Sequence, residues 1–283
     1  MATLTLRRKA MFSAAHAYWF KDRTDDENRA IFGKWASRWG HGHNYEIELS
    51  VAGQLDEATG MVVNITDVDK ALKRAIQPLR DKHLTYEVPH FATNPPTTEN
   101  IAAYIAQRFN AEFTDPAARL TKIIVAETPT LSASVEFREF QESNTKQMVS
   151  LTRSLDFAAA HRLHAQGLSD NENLAIFGKC NNPHGHGHNY GVEVTVSGEI
   201  DPKTGMIVDL VALDKVLDTE IMERYDHKHL NDDTEDFSHT NPTSENLTLA
   251  IWNHLVEKIP APARLKRVVV RETDRNYFEY EGN

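Results

Sequence analysis

The feature that most constrains the fold of this chain is an internal duplication. Segments of the second half repeat segments of the first half in the same order, 145 positions later, and 146 positions later in the middle of each copy. The clearest match is G-H-G-H-N-Y, which occurs at Gly40–Tyr45 and again at Gly185–Tyr190. The other matches pair Ala15-His16 with Ala160-His161, Ile31–Lys34 with Ile176–Lys179, Thr59–Met61 with Thr204–Met206, and Glu127-Thr128 with Glu272-Thr273. A repeat as long as a small domain predicts two copies of one fold.

Each copy has the residue pattern of strand, strand, helix, helix, strand, strand. In the second copy we predict strands at 148–159, 189–198, 264–272 and 277–280, a helix at 210–224, and a second helix that is capped by Thr243 or Ser244 and ends before Pro260. In the first copy the strands fall near 3–15, 43–53, 119–127 and 133–140. We therefore predict an α+β fold in which a four-stranded antiparallel sheet carries two helices on one face. The predicted domains are 1–140 and 148–283, with a short polar linker at 141–147.

Composition excludes several classes of protein. The chain has 283 residues and a formal net charge of −10, which argues against nucleic-acid binding because such proteins need a basic face. Its one cysteine cannot form an intrachain disulfide, so a reduced, cytoplasmic setting is expected. The sequence shows neither a signal peptide at its start nor an apolar run long enough for a membrane span.

A cluster of histidines in the second copy suggests a metal site. His186 and His188 are two residues apart, so on a strand their side chains share one face. His161 lies at the end of another predicted strand, and three imidazoles that leave a coordination position open are typical of catalytic zinc. Cys180, six residues before His186, is either a fourth ligand or a nearby base. The equivalent histidines of the first copy are His16, His41 and His43.

The motifs of the second copy closely resemble the 6-pyruvoyl-tetrahydropterin synthase family, which also includes 6-carboxy-tetrahydropterin synthase. The resemblance rests on F-A-A-A-H-R-L-H, G-K-C-N-N-P-H-G-H-G-H-N-Y, D-H-K-H-L-N, P-T-S-E-N and V-R-E-T-D, which occur in this order within 148–281. The first copy matches the same pattern more weakly. The resemblance implies the tunnelling fold (T-fold), in which sheets from several units join edge to edge into a barrel.

The resemblance also implies a role for each matching residue. The zinc ligands would be His161, His186 and His188, with Cys180 as the catalytic thiol. Asp226 and His227 would form a pair that reaches the thiol of a neighbouring unit. Glu272 would anchor the pterin ring, in a pocket that is lined by Thr243, Ser244 and Glu245. The implied substrate is a pterin triphosphate, 7,8-dihydroneopterin triphosphate.

The first copy departs from the family pattern at the residues that would move protons. Trp35 stands in place of Cys180, and no histidine stands opposite His227 under either placement of the gap, although Asp81 could correspond to Asp226. We therefore expect the first copy to be inactive while still able to bind metal. Because an active thiol must then meet a second copy, we predict a homo-oligomer: a trimer of two-unit chains with first and second copies in separate, homotypic stacked rings.

Three functions are compatible with these residues. The leading one is a zinc-dependent carbon–oxygen lyase that makes 6-pyruvoyl-tetrahydropterin and serves tetrahydrobiopterin biosynthesis. The nearest alternative is 6-carboxy-tetrahydropterin synthase of queuosine biosynthesis, which uses the same substrate. The spacing between Cys180 and His186 favours the first. The third alternative is a pterin-binding protein without catalytic activity.

Overall fold

The computed structural model describes residues 2–137 and 148–282 and divides the chain into two compact units. The first unit comprises Met1–Thr152 and Ser197–Val211, and the second comprises Arg153–Val196 and Ala212–Asn283. The predicted linker at 141–147 and the last three residues of the strand predicted at 133–140 lie outside the described residues.

The first copy has the predicted strands and helices in the predicted order, with two additional short helices among them. Its strands and helices are β1 Thr3–His16, α1 Asp25–Phe32, β2 His41–Gln54, α2 Ile65–Ile76, α3 Leu84–Glu87, α4 Thr98–Glu112, β3 Ala118–Thr128 and β4 Leu131–Glu136. Short 3₁₀ turns occupy Gly33–Trp35 and Pro89–Ala92.

The second copy repeats this order. Its elements are β5 Met148–His161, α5 Asp170–Phe177, β6 His186–Gly198, α6 Leu210–Leu217, α7 Glu223–Tyr225, β7 Lys228–His229, α8 Leu230–Asp233, α9 Ser244–Leu255, β8 Arg264–Thr273 and β9 Asn276–Tyr280. A π-helical turn, Asp218–Met222, joins α6 to α7, so the helix predicted at 210–224 is continuous but locally widened. The Thr243 hydroxyl caps α9 by accepting a hydrogen bond from the Asn246 backbone N–H, which settles the choice of cap in favour of Thr243.

In the first unit an antiparallel sheet runs β1-β2-β3-β4. Burial alternates along β4, as it does for a strand with one face against the core. Helices α2 and α4 bury apolar stripes such as Val68, Leu72 and Ile76 of α2, and sheet residues such as Leu49 and Ile123 are fully buried. The structure therefore confirms the antiparallel α+β fold with helices on the sheet.

In the second unit the strand order is β5-β6-β8-β9, and the two-residue β7 pairs in parallel with the end of β5. The core contains Val192, Val194 and Val196 of β6, which alternate along the strand as the sequence predicts. Leu247 and Ile251 on the buried face of α9 belong to the same core. This packing holds the ends of β5 and β6, where the site residues lie.

The structure describes a single chain, so it does not test how chains would assemble. The trimer with first and second copies in separate, homotypic stacked rings therefore stays a prediction.

Helices α1 and α5 were not predicted from the sequence, although a local signal for them exists. Thr24 and Glu27 form a capping box at the start of α1, and Ser169 and Glu172 form the same box at the start of α5. Both helices are only eight residues long, and their hydrophobic periodicity is too brief to identify them. None of the helices in the described residues combines the length and apolarity needed to cross a membrane.

Candidate metal and substrate site

The three predicted ligands of the second copy converge where β5 ends and β6 begins. His161 Nε2 lies 3.2 Å from His186 Nε2, and one ligand atom from each of His161, His186 and His188 falls within 4.8 Å of the others. Gly185 allows this approach: it has a φ of +71°, and a Cβ there would lie 2.9 Å from the His161 carbonyl oxygen. The three histidines therefore lie close together, as the sequence predicts.

A hydrogen bond fixes the tautomer of His161. Its Nδ1 is 2.8 Å from the Pro242 carbonyl oxygen, which can only accept, so Nδ1 carries the proton and the Nε2 lone pair faces the other two rings. Burial lowers the pKa of His161, and it also lowers that of His186. A neutral imidazole whose outer nitrogen is hydrogen-bonded, as that of His161 is, is suited to bind zinc.

Glu272 lies at a β-bulge, where the register between β8 and β9 shifts between Arg271 and Thr273. Such a bulge turns a side chain out of the normal alternation. Ser244 donates to Oε1 of Glu272 at 2.9 Å and Asn276 donates to Oε2 at 3.1 Å. Burial acts to raise the pKa of Glu272, but these two bonds together with the neighbouring His188 and His161 outweigh it, and the pKa is lowered. An ionised, oriented carboxylate therefore lies 3.9 Å from the Nε2 atoms of both His161 and His188.

The other predicted pocket residues are arranged around the start of α9. Ser244 contacts Glu272, as described above, whereas Thr243 uses its hydroxyl to cap the helix. Glu245 is exposed. Ser244 therefore contacts the Glu272 carboxylate, whereas Thr243 stabilises the start of α9.

Asp226 and His227 form the predicted pair. Asp226 Oδ2 is 2.9 Å from His227 Nδ1, while Oδ1 accepts from the Ala158 backbone N–H at 3.0 Å. That backbone bond, and next the bond with His227, lower the pKa of Asp226. His227 has a φ of +56°, which is uncommon outside glycine, and its side chain is 82% exposed. His227 thus presents an oriented imidazole to the outside of its unit.

Cys180 lies in the 3₁₀ turn Gly178–Asn181 that follows α5. It is a partly exposed free thiol, and its carbonyl oxygen accepts from the Leu163 backbone N–H at 2.9 Å. Within the part of the chain that the structure describes, no hydrogen bond joins Cys180 to His227. The structure therefore brings the histidines and Glu272 together but shows no hydrogen bond between the thiol and the Asp226–His227 pair among the described residues.

The first copy forms the same cluster with an additional member. His16, His41, His43 and Glu127 each offer a ligand atom within 4.8 Å of the others. His16 and His41 are directly opposite each other in the register of β1 and β2, and their Nε2 atoms are 3.3 Å apart. His16 Nδ1 lies 2.9 Å from the Pro96 carbonyl oxygen, which fixes its tautomer as in the second copy.

The backbone identifies the first-copy counterpart of His227. Asp81 also has a positive φ, +59°, and its N–H donates to the Ser13 carbonyl oxygen as that of His227 donates to Ala158. Asp81 therefore corresponds to His227 and not to Asp226. An aspartate in that place cannot replace the imidazole, in agreement with the expected loss of activity.

Two residues that shape these sites were missed in the sequence. Tyr18 is fully buried, and its hydroxyl donates to Glu127 Oε2 at 3.2 Å. Asn276 binds the equivalent Glu272. Tyr18 aligns with Leu163, and Asn276 aligns with Leu131. An alignment of the two copies could have identified both residues, because each is polar where the other copy has a leucine.

The chain was then compared with known families and proteins. The family model of 6-pyruvoyl tetrahydropterin synthase matches residues 5–138 and again residues 150–283. The 6-pyruvoyl tetrahydrobiopterin synthase of Drosophila melanogaster is 49% identical over 132 residues, which are 47% of this chain and 79% of the relative. The human protein of that name is 48% identical over 132 residues, 47% of this chain and 90% of the relative. The solved Caenorhabditis elegans 6-pyruvoyl tetrahydropterin synthase, 43% identical, covers 48% of this chain and 96% of its own with a TM-score of 0.46.

Proposed function

We propose, since this chain belongs to the 6-pyruvoyl tetrahydropterin synthase family, that its second copy is a zinc-dependent lyase. The proposed reaction converts 7,8-dihydroneopterin triphosphate to 6-pyruvoyl-tetrahydropterin with loss of triphosphate. The observation that carries this proposal is the convergence of three imidazoles beside the oriented carboxylate of Glu272. The names of the relatives at 48–49% identity support the choice of product.

The donor set supports zinc as the metal. Three histidines with one coordination position left open are the pattern of a catalytic zinc site, and the Pro242 carbonyl holds His161 in the tautomer that a metal needs. When bound, zinc would supply Lewis-acid polarisation of the hydroxyl oxygens on the substrate side chain.

Glu272 is suited to hold the pterin ring. An ionised carboxylate accepts two parallel N–H bonds from an aminopyrimidine edge, and such paired, charge-assisted bonds orient the ring as well as bind it. Ser244 and Asn276 fix the carboxylate before substrate arrives, so little ordering is needed on binding. The side chain of the substrate would then point toward the histidines.

Cys180 and the Asp226–His227 pair are proposed to move the protons. The elimination requires removal of a carbon-bound proton, for which Cys180 as thiolate is the proposed base. His227, oriented by Asp226, would accept or return the proton of this thiol. Because the described residues show no hydrogen bond between these groups and the His227 side chain is exposed, we propose that they meet between chains, so that the active form is a homo-oligomer.

Mixing of two inactive variants tests the shared site. Cys180→Ala and His227→Ala are each expected to be inactive. A mixture that is unfolded and refolded together should recover activity, because hybrid assemblies contain some sites with both intact groups. No recovery, in assemblies that are shown to be hybrid, would place both groups in one chain.

Product identification tests the reaction itself. The zinc-loaded protein is incubated with 7,8-dihydroneopterin triphosphate, and the pterin and triphosphate are measured by mass spectrometry. Triphosphate with a 6-pyruvoyl product is the expected result, and the Cys180→Ala protein is the matched control. A 6-carboxy product with acetaldehyde would contradict the proposed reaction, and bound substrate without turnover would contradict an enzymatic role.

A further inference from the structure

We propose that the first copy holds a divalent metal ion in a closed, four-ligand site in which Glu127 is the fourth ligand beside His16, His41 and His43. The same glutamate position would thus have two uses in one chain: a metal ligand at Glu127 and a ring anchor at Glu272. The first-copy site would be structural, because no coordination position remains for a substrate.

The distances fit four ligands around one ion. Glu127 Oε1 is 3.4 Å from His43 Nε2 and 3.8 Å from His16 Nε2, and the His16 and His41 Nε2 atoms are 3.3 Å apart. Ligand atoms about 2.0–2.2 Å from a tetrahedrally bound zinc lie roughly 3.4 Å from one another. Three nitrogens and one carboxylate oxygen are a common donor set for zinc.

The polar atoms that face this cluster have no other partner. The Glu127 side chain is 0% exposed, and among the described residues its Oε1 accepts no hydrogen bond. His43 Nε2 is likewise buried without a hydrogen bond in the described part of the chain. A buried carboxylate oxygen without a partner is costly, since a desolvated charge must be paired or bound to a metal. A cation between these atoms satisfies both.

The hydrogen bonds that the two glutamates accept explain why only Glu127 would act as a metal ligand together with the histidines. Tyr18 and Thr98 both donate to Oε2 of Glu127, at 3.2 Å and 2.6 Å, which leaves Oε1 to face the rings. In the second copy the bonds are divided, so that Ser244 takes Oε1 and Asn276 takes Oε2 of Glu272.

Two substitutions between the copies produce this difference. Leu131 stands where the second copy has Asn276, and it removes the donor for the outer oxygen. Tyr18 stands where the second copy has Leu163, and it adds a buried donor on the other side. The glutamate itself is unchanged, as is its place at a β-bulge.

The closed site also excludes the ring that Glu272 is proposed to bind. Both oxygens of Glu127 would be engaged, one by the ion and one by Tyr18 and Thr98. The Tyr18 hydroxyl already donates to Oε2, so a ring N–H would have to compete with it for this oxygen. The first copy would therefore keep its metal without binding pterin, and the ion would stabilise the fold.

The main test uses cobalt(II) as a spectroscopic substitute for zinc in the full-length protein. His186→Ala removes the second-copy cluster and leaves the first-copy site for study, and His41→Ala does the reverse. Azide is then added to each cobalt-loaded protein. An open site takes azide as an additional ligand and its visible spectrum shifts, whereas a closed site does not.

We expect the His186→Ala protein to bind one cobalt whose spectrum azide leaves unchanged, and the His41→Ala protein to show a shift. A shift in the His186→Ala protein, or the absence of bound metal there, would overturn the proposal. This arm leaves Glu127 intact, so it does not depend on how that residue tolerates substitution. It also does not depend on turnover, so failure of the proposed reaction would not affect it.

A second arm replaces the proposed ligand. Glu127→Gln in the His186→Ala protein should weaken metal binding at least tenfold, measured as metal retained during dialysis against a graded chelator. Glu272→Gln in the His41→Ala protein is the matched control and should retain its metal. Equal retention by the two glutamine variants would overturn the role of Glu127.

Discussion

The two copies keep the same three histidines and the same glutamate, yet the surroundings of the glutamate differ. Glu272 accepts one hydrogen bond at each oxygen and lies 3.9 Å from its nearest histidine nitrogens. Glu127 accepts both of its hydrogen bonds at one oxygen and brings the other to 3.4 Å from His43. The comparison teaches that neighbouring donors, and not the site residues alone, decide whether such a carboxylate faces a substrate or a metal.

The copies differ as strongly in the groups that could move protons. The second copy carries Cys180 and an imidazole at His227, oriented by Asp226. The first copy has Trp35 and Asp81 at the corresponding places. A tryptophan cannot replace the thiol of Cys180, and an aspartate in the place of His227 cannot replace its imidazole. One copy therefore has the groups for a reaction, and the other has those for holding an ion.

The largest expected effect concerns the thiol. Cys180→Ala should lower kcat by about 10²- to 10⁴-fold, the usual contribution of a positioned base, because the first copy offers no substitute. The measurement is steady-state triphosphate release. Trp35→Phe, at the matching position, should retain activity. Substantial turnover in Cys180→Ala would mean that the first copy is active.

The next effect concerns the anchor of the ring. Glu272→Gln keeps the shape of the side chain but removes its charge, and it should lower kcat/KM by about 10- to 100-fold, since charge-assisted bonds contribute roughly 1.5–3 kcal/mol. Metal content, measured on the same sample, should be unchanged. Loss of metal together with activity would instead make Glu272 a ligand and remove the contrast with Glu127.

A smaller effect is expected when the second copy is made to resemble the first. Leu163→Tyr introduces the counterpart of Tyr18, whose hydroxyl should compete with the substrate for Glu272 and lower kcat/KM about tenfold, the effect of one hydrogen bond. Leu163→Phe has similar bulk without the hydroxyl. If phenylalanine and tyrosine have the same effect, bulk and not the hydrogen bond distinguishes the copies at this position.

The last effect concerns the pH dependence of stability and not activity. Glu99 is buried in the first unit, where the Ile207 backbone N–H donates to it, and burial raises its pKa to about 7 from 4.5. A raised carboxyl pKa stabilises the folded state fully below the unfolded pKa, and this contribution is lost as pH rises through about 7. Relative to Glu99→Gln, the wild type should therefore lose roughly 1.4 kcal/mol of unfolding free energy per pH unit in this range.

Urea unfolding at pH 5 and pH 8 measures this difference. Glu245→Gln is the control, because Glu245 is the exposed counterpart of Glu99 in the second copy. If Glu99→Gln and Glu245→Gln show the same pH dependence, burial of Glu99 has no such effect. The two copies would then not differ in this respect.

Much of the architecture was predictable from the sequence, because it depends on local patterns. The alternation of Val192, Val194 and Val196 predicted β6, and helical spacing with a hydroxyl cap predicted α9. The histidine cluster was also predictable, since a spacing of two on a strand fixes a common face. Helices α1 and α5 were missed because eight residues are too few for periodicity to show.

What the sequence determined by itself was the duplication, the α+β fold, the two histidine clusters and the loss of the thiol in the first copy. Only the tertiary structure decided that one oxygen of Glu127 has no hydrogen-bond donor while both oxygens of Glu272 have one, because the bonds from Tyr18 and Ser244 join segments that are far apart in the chain. Residue type and spacing set what each element can be, whereas the direction of a buried side chain depends on the neighbours that packing supplies.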